Sequence, residues 1–207
     1  MPKGDRGGRR GGSAGLDPGD IKSTSSLISE REGKQELVDA TLATLKDFRD
    51  EYGAEVGDLV IATITGKGAT AMAYSDGENV GVNKSYFSDR METAYADCVK
   101  SGFHPSNGNK TALQAVIAHE MGHNLTALVG QKLGTTIMDS AADRIVKEAR
   151  RMTKHRGVVQ MASRISKYAT YSNAEAVAEA VADVYCNGSR AKTESRAIVD
   201  VLNNYLK

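Results

Sequence analysis

The chain has 207 residues, 40% of them apolar and 26% charged, with 27 Lys and Arg against 26 Asp and Glu for a formal net charge of +1. That length supports one domain with a hydrophobic core, and the charge balance excludes a strongly basic nucleic-acid binder or an acidic disordered chain as a description of the whole. An aromatic content of 5% without Trp disfavours base-stacking platforms, no apolar run nears the roughly 18 residues of a membrane span, and two cysteines cannot build a disulfide framework.

The first 15 residues hold six of the 21 Gly, with Lys3, Arg6, Arg9 and Arg10 against Asp5. Such a segment buries too little apolar surface to offset its ordering entropy, so residues 1–20 are expected to form a flexible basic tail. It lacks the apolar stretch of a secretory signal. Residues 21–207 are expected to form a single domain. From Lys34 to Tyr52, Leu37, Val38, Leu42, Leu45 and Phe48 recur at helical spacing until Gly53. Three strands are expected next, over Asp58–Thr65, Thr70–Tyr74 and Val80–Val82, the last two joined through the turn pair Asp76-Gly77. The Gly66-Lys67-Gly68 link is too short for a phosphate loop and reads as a turn.

A helix over Ser88–Lys100 and a turn-rich loop from Gly102 to Asn109 follow. Helices are then expected over Lys110–Val129, Thr136–Lys154, Asn173–Asn187 and Ser189–Leu206. The layout is α+β: a small N-terminal mixed sheet with helices, then a helical half.

Within the helix expected over Lys110–Val129 lies His119-Glu120-Met121-Gly122-His123, an HExxH motif. Residues four apart share a helix face, so both imidazoles can reach one tetrahedral Zn²⁺. Glu120, about 100° further round, can reach a water at the metal instead of the metal itself. The motif holds two of the chain's four His, and the composition of 4 His and 12 Glu would produce it by chance roughly 0.004 times. A helical projection places Leu113, Ile117, Met121, Leu125 and Leu128 on a core stripe, with the His pair opposite and facing a cleft.

A catalytic zinc needs a third protein ligand. His104, in a Pro-Asn-Gly loop, and His155, in a basic run, read as surface residues. A carboxylate is the better candidate. Ser172-Asn173-Ala174-Glu175 opens a helix with a capping signature, and Glu175, Glu179 and Asp183 then share one face. Glu175 is the expected ligand and Glu179 the expected partner that orients a ligating imidazole. A solvated acidic face, or a Glu175 that merely closes a capping box, would show the same spacing. Ala178 and Ala182 beside these acids would let another backbone approach closely.

The HExGH motif, the later Ser172-Asn173-Ala174-Glu175 with Ala178-Glu179-Ala180, and Tyr168 seven residues before Glu175 together resemble the gluzincin metallopeptidases, in particular the anthrax lethal-factor-like catalytic fold. The stretches DLVIATIT, MAYSDGENVGVNKSYF and FHPSNGNKTALQAVIAHEMGHNL also resemble peptidase-like domains attached to phage minor head proteins. The two resemblances span residues 36–206. They imply a zinc-dependent endopeptidase, with Glu175 as a metal ligand and Tyr168 stabilising the oxyanion, although Tyr171 competes for that role. Ala176-Val177 replaces an aromatic pair of the lethal-factor-like helix, which bears on pocket shape. By fold analogy, the strand at Val80–Asn83 would be the edge to which an extended peptide adds.

The expected partner is therefore a peptide or protein substrate, with phage structural proteins a further candidate, no membrane, and a cytoplasmic or virion-associated location. Two other readings stand beside this one. The first is a virion or head-assembly protein with a structural or vestigial zinc site. The second, less favoured, is nucleic-acid binding by the basic tail and by Arg144–Lys167, which carries eight Lys and Arg against Glu148.

Overall fold

The computed structural model describes residues 21–26, 35–54, 59–66, 69–77, 79–135 and 138–207. The expected basic tail, Asp58 at the head of its strand, Lys67 and Gly68 of the turn, and Thr136 lie outside the described residues.

Among the described residues, four strands, β1 (Ile21–Ser26), β2 (Leu59–Ile64), β3 (Ala73–Ser75) and β4 (Val80–Asn83), form a sheet of order β1-β2-β4-β3. β1 is antiparallel to β2, β2 parallel to β4, and β4 antiparallel to β3, which makes the sheet mixed. The segment IKSTSS of β1 carries one apolar residue and no alternation, so only its pairing with β2 makes it a strand. β3 and β4 form the expected hairpin. Ser75 faces Val80, Asn79 N–H donates to Asp76 Oδ1 (2.8 Å), and Gly77 takes a φ of +98° that a residue with Cβ rarely adopts.

The expectation that Val80–Asn83 forms a sheet edge is corrected. β4 is interior, hydrogen-bonded on both sides, because the hairpin folds β3 outside it. The edge strands are β1 and β3, and the Ser75 hydroxyl of β3 donates to Asn124 on the HExxH helix. One sheet face sends Ile61, Ala73, Val80 and Val82 into the main core, and the other gathers Ala62, Ile64 and Tyr74.

Seven α-helices of the described residues accompany the sheet: α1 (Gln35–Tyr52), α2 (Arg90–Lys100), α3 (Ala112–Lys132), α4 (Met138–Thr153), α5 (Val158–Ile165), α6 (Asn173–Asn187) and α7 (Thr193–Leu206). The α+β layout is thus as expected. α1 ends at Gly53, whose N–H bonds Arg49 O, but its buried face is rotated from the apolar pattern. Val38, Thr41, Thr44 and Phe48 are buried while Leu42 is exposed. The Thr41 and Thr44 hydroxyls donate to Leu37 O and Ala40 O, which satisfies them inside the core. The eight-residue α5 is an addition to the expected helices: it is too short for a helical period to show, and its place is fixed by burial of Met161, Ala162 and Ile165. α7 begins at Thr193, after a 3₁₀ turn over Gly188–Arg190.

α3 runs through the middle of the molecule. Its first turn is closed by a reciprocal capping box between Thr111 and Gln114, and the Ala112 N–H donates to Glu92 of α2 (2.8 Å). Leu113, Ile117, Met121 and Leu125 are buried as expected. The His-bearing side is buried as well, because α6 lies against it. No helix among the described residues is long and apolar enough to cross a membrane.

Candidate metal centre

α3 and α6 pack closely at Gly122. A Cβ placed there would stand 2.6 Å from the Ala178 Cα, so only glycine fits the crossing. This is the close approach that Ala178 is expected to allow. On either side of it, the imidazoles of His119 and His123 meet the carboxylates of Glu175 and Glu179.

His119 Nε2 lies 3.1 Å and His123 Nε2 3.6 Å from Glu175 Oε2. One ligand atom from each of the three residues falls within 4.8 Å of the others. On its other nitrogen, His119 donates an Nδ1–H to Glu179 Oε1 at 2.8 Å. His119, His123 and Glu175 are only 7%, 2% and 1% exposed, so the acidic face of α6 is not solvated. Nor is Glu175 spent on a capping box: the Ser172 hydroxyl accepts the Glu175 N–H (3.1 Å), leaving the Glu175 carboxylate to the histidines.

The electrostatics follow from burial and pairing. Burial alone would raise the Glu175 carboxyl, but the imidazoles of His123 and His119 hold it well below the usual range. Burial would lower His119, yet its bonds to Glu175 and Glu179 hold it well above its ordinary value. The same pull from His104 and His119 overcomes burial at Glu179 and brings its carboxyl to about 2. Glu120 behaves oppositely. Burial pushes its carboxyl up, and nearby imidazoles offset that only in part.

These residues suit a metal ion. Three ligands at about 2.0–2.1 Å from a tetrahedral zinc stand about 3.3 Å apart, close to the two separations from Glu175 given above. His123 Nε2 and Glu120 Oε2 are buried without a hydrogen bond. Each such atom costs about 1–3 kcal/mol, which a cation and a water at this point would relieve. Two imidazoles and a carboxylate are a donor set of catalytic zinc sites that leave a fourth position open.

Tyr168 stands at the start of a 3₁₀ turn, Tyr168–Thr170, between α5 and α6. Its ring stacks on His119 with centroids 5.7 Å apart. Burial, together with the carboxylates of Glu175, Glu120 and Glu179, pushes its phenol up. Tyr171 touches only the outer side of this group, through the rings of Tyr168 and Phe103, and is 61% exposed.

His104, expected at the surface, is instead half-buried, with Nδ1 2.9 Å from Glu179 Oε1. No spacing rule ties this loop residue to α3 or α6, so only the tertiary fold reveals it. His155 lies apart from this group, bonded through Nε2 to Glu194 on α7 (2.9 Å). Asp183, on the same face as the two glutamates, closes the end of α6 instead of joining them. It accepts from Asn187 Nδ2 and from the Lys192 N–H, both at 2.9 Å. Along the basic stretch, Arg144 pairs with Glu148, Lys147 with Asp143, and Arg150 donates to the His155 carbonyl.

No family model, curated protein or solved structure matches the chain.

Proposed function

We propose that the chain is a zinc-dependent metalloendopeptidase of the gluzincin type, acting on a peptide or protein substrate. The observation that carries this reading is the convergence of His119, His123 and Glu175 from two crossing helices, with the carboxylate of Glu120 beside them. The resemblance of HExGH and of the Glu175 helix to lethal-factor-like peptidases supports it.

Zinc held by those three residues supplies Lewis-acid polarisation of a carbonyl and a water acidic enough to attack at neutral pH. Glu120 takes the proton of the attacking water and delivers it to the leaving amine. Its free Oε2 and raised carboxyl suit a group that must both accept and return a proton. Tyr168 donates its hydroxyl to the developing oxyanion, and its raised phenol keeps that proton in place at neutral pH. Glu179 fixes the orientation of His119. A cytoplasmic or virion-associated location, with phage structural proteins among the candidate partners, goes with this reading.

One observation favours a second reading, a virion-associated protein with a structural or vestigial zinc site: the three ligands are almost fully buried. Structural zinc contributes folding energy outright, so chelation would unfold such a protein but only silence the enzyme.

The test pairs metal analysis with a peptide-library cleavage screen. The purified protein is expected to hold about one zinc per chain. Glu120→Gln should retain the metal and lose cleavage. Full cleavage by Glu120→Gln would overturn the role given to that residue, and absence of zinc would overturn the reading altogether.

A further inference from the structure

Glu179 carries more hydrogen bonds than the orientation of one imidazole requires. Its Oε1 accepts from His119 Nδ1–H (2.8 Å) and from His104 Nδ1–H (2.9 Å), while Oε2 accepts from the Ser166 hydroxyl (2.6 Å). The three donors come from α3, from the loop between α2 and α3, and from the end of α5. A carboxylate held by His119 alone could still rotate about its terminal torsion. Donors on both oxygens from separate segments remove that freedom.

His104 is itself rigidly placed. Its ring lies parallel to Tyr95 (centroids 5.4 Å, interplanar angle 2°) and meets the rings of Phe103 and Tyr168 edge-on at 5.0 and 5.3 Å. The Tyr95 hydroxyl donates to Pro105 O (3.2 Å), and Asn187 Nδ2 donates to Ser106 O (2.7 Å). The loop is thereby fastened to α2 and to the end of α6.

We propose that His104 is a positioning residue for the metal centre: its Nδ1–H pins the Glu179 carboxylate where it receives the Nδ1–H of His119, so that His119 Nε2 is aimed at the point shared with His123 and Glu175. The inference rests on the zinc reading of that point. His104 stands outside the ligand cluster itself, since it meets Glu179 on the Nδ1 side of His119 and the cluster lies on the Nε2 side. Ser166 supports the same carboxylate from its other oxygen. The Ser166 Oγ also accepts the Ala169 N–H (2.9 Å), which ties the turn bearing Tyr168 to the same anchor.

Two variants separate the hydrogen bond from the packing. His104→Phe keeps a ring on Tyr95 and removes the donor, whereas His104→Asn keeps a donor near the Nδ1 position and removes the ring. Zinc affinity of the full chain, measured by chelator competition, should fall about tenfold or more in His104→Phe and stay within about threefold of wild type in His104→Asn. Unchanged affinity in His104→Phe, or weaker binding by His104→Asn than by His104→Phe, overturns the proposal.

A second measurement needs no metal. The His119 Nδ1 proton, held against a buried carboxylate, should give a slowly exchanging downfield NMR signal in wild type and His104→Asn and be lost to exchange in His104→Phe. Its absence from the wild-type spectrum, or its persistence in His104→Phe, overturns the proposal. A wild-type chain that binds no zinc would instead overturn the metal reading, and this signal would still decide whether His104 positions His119.

Discussion

Gly122 and Ala178 mark the crossing of α3 and α6, and each stands between two of the converging side chains, one pair on each helix. Gly122 lies between His119 and His123, Ala178 between Glu175 and Glu179, and a Cβ on Gly122 would come within 2.6 Å of the Ala178 backbone. This close backbone contact therefore helps set how far the imidazoles stand from the carboxylates. Gly122→Ala should gain up to about 1 kcal/mol from helix propensity, yet lose about 1–3 kcal/mol to overpacking. Net destabilisation in urea unfolding is expected, together with weaker zinc binding as the helices are pushed apart. Stability equal to or above wild type would mean that the crossing is not tightly packed.

The ligand assignment separates two carboxylates one turn apart. Glu175→Ala should abolish stoichiometric zinc binding. Glu179→Ala should keep the metal but weaken it by about 10–100-fold, the usual effect of losing a partner that orients a ligand. Metal content after dialysis against a weak chelator reads both. Normal zinc in Glu175→Ala with none in Glu179→Ala would move the assignment by one turn.

Tyr168 and Tyr171 are distinguished by position, one stacked on His119 and the other largely in solvent. Tyr168→Phe is expected to lower kcat by about 100–1000-fold with zinc content unchanged, as for loss of an oxyanion donor. Tyr171→Phe should remain near wild type. The opposite ranking in a cleavage assay would exchange their roles.

Burial raises the Cys186 thiol from 9.0 to about 12, and nearby Asp183 adds to the shift. An acid whose pKa is raised on folding leaves stability intact below its unfolded value. Stability is then lost as pH climbs from about 9 towards 12, because the unfolded chain releases the proton first. At pH 8 Cys186 should resist a thiol reagent in the native protein and react at once in denaturant. Mass mapping of the labelled peptides checks this, and equal labelling rates in the two states would contradict it.

Much of the centre was legible in one dimension because its chemistry is helical. His119 with His123, and Glu175 with Glu179, are separated by four residues, and a single helix turn aligns each pair whatever surrounds it. The mixed α+β layout, the hairpin at Asp76-Gly77 and the cap at Ser172 were equally local, resting on turn and capping chemistry within a few residues.

Other features depended on neighbours distant in sequence. β1 became a strand through its pairing with β2, and β4 became interior because β3 folded outside it. The buried face of α1 turned towards Thr41 and Thr44, whose hydroxyls find acceptors within their own helix. His104 carried no signal at all, since its partner Glu179 is 75 residues away. Periodicity thus determined the donors on each helix. Which donors meet, and which side chains hold them in place, was decided by close packing at Gly122 and by the need of a buried carboxylate for hydrogen-bond donors.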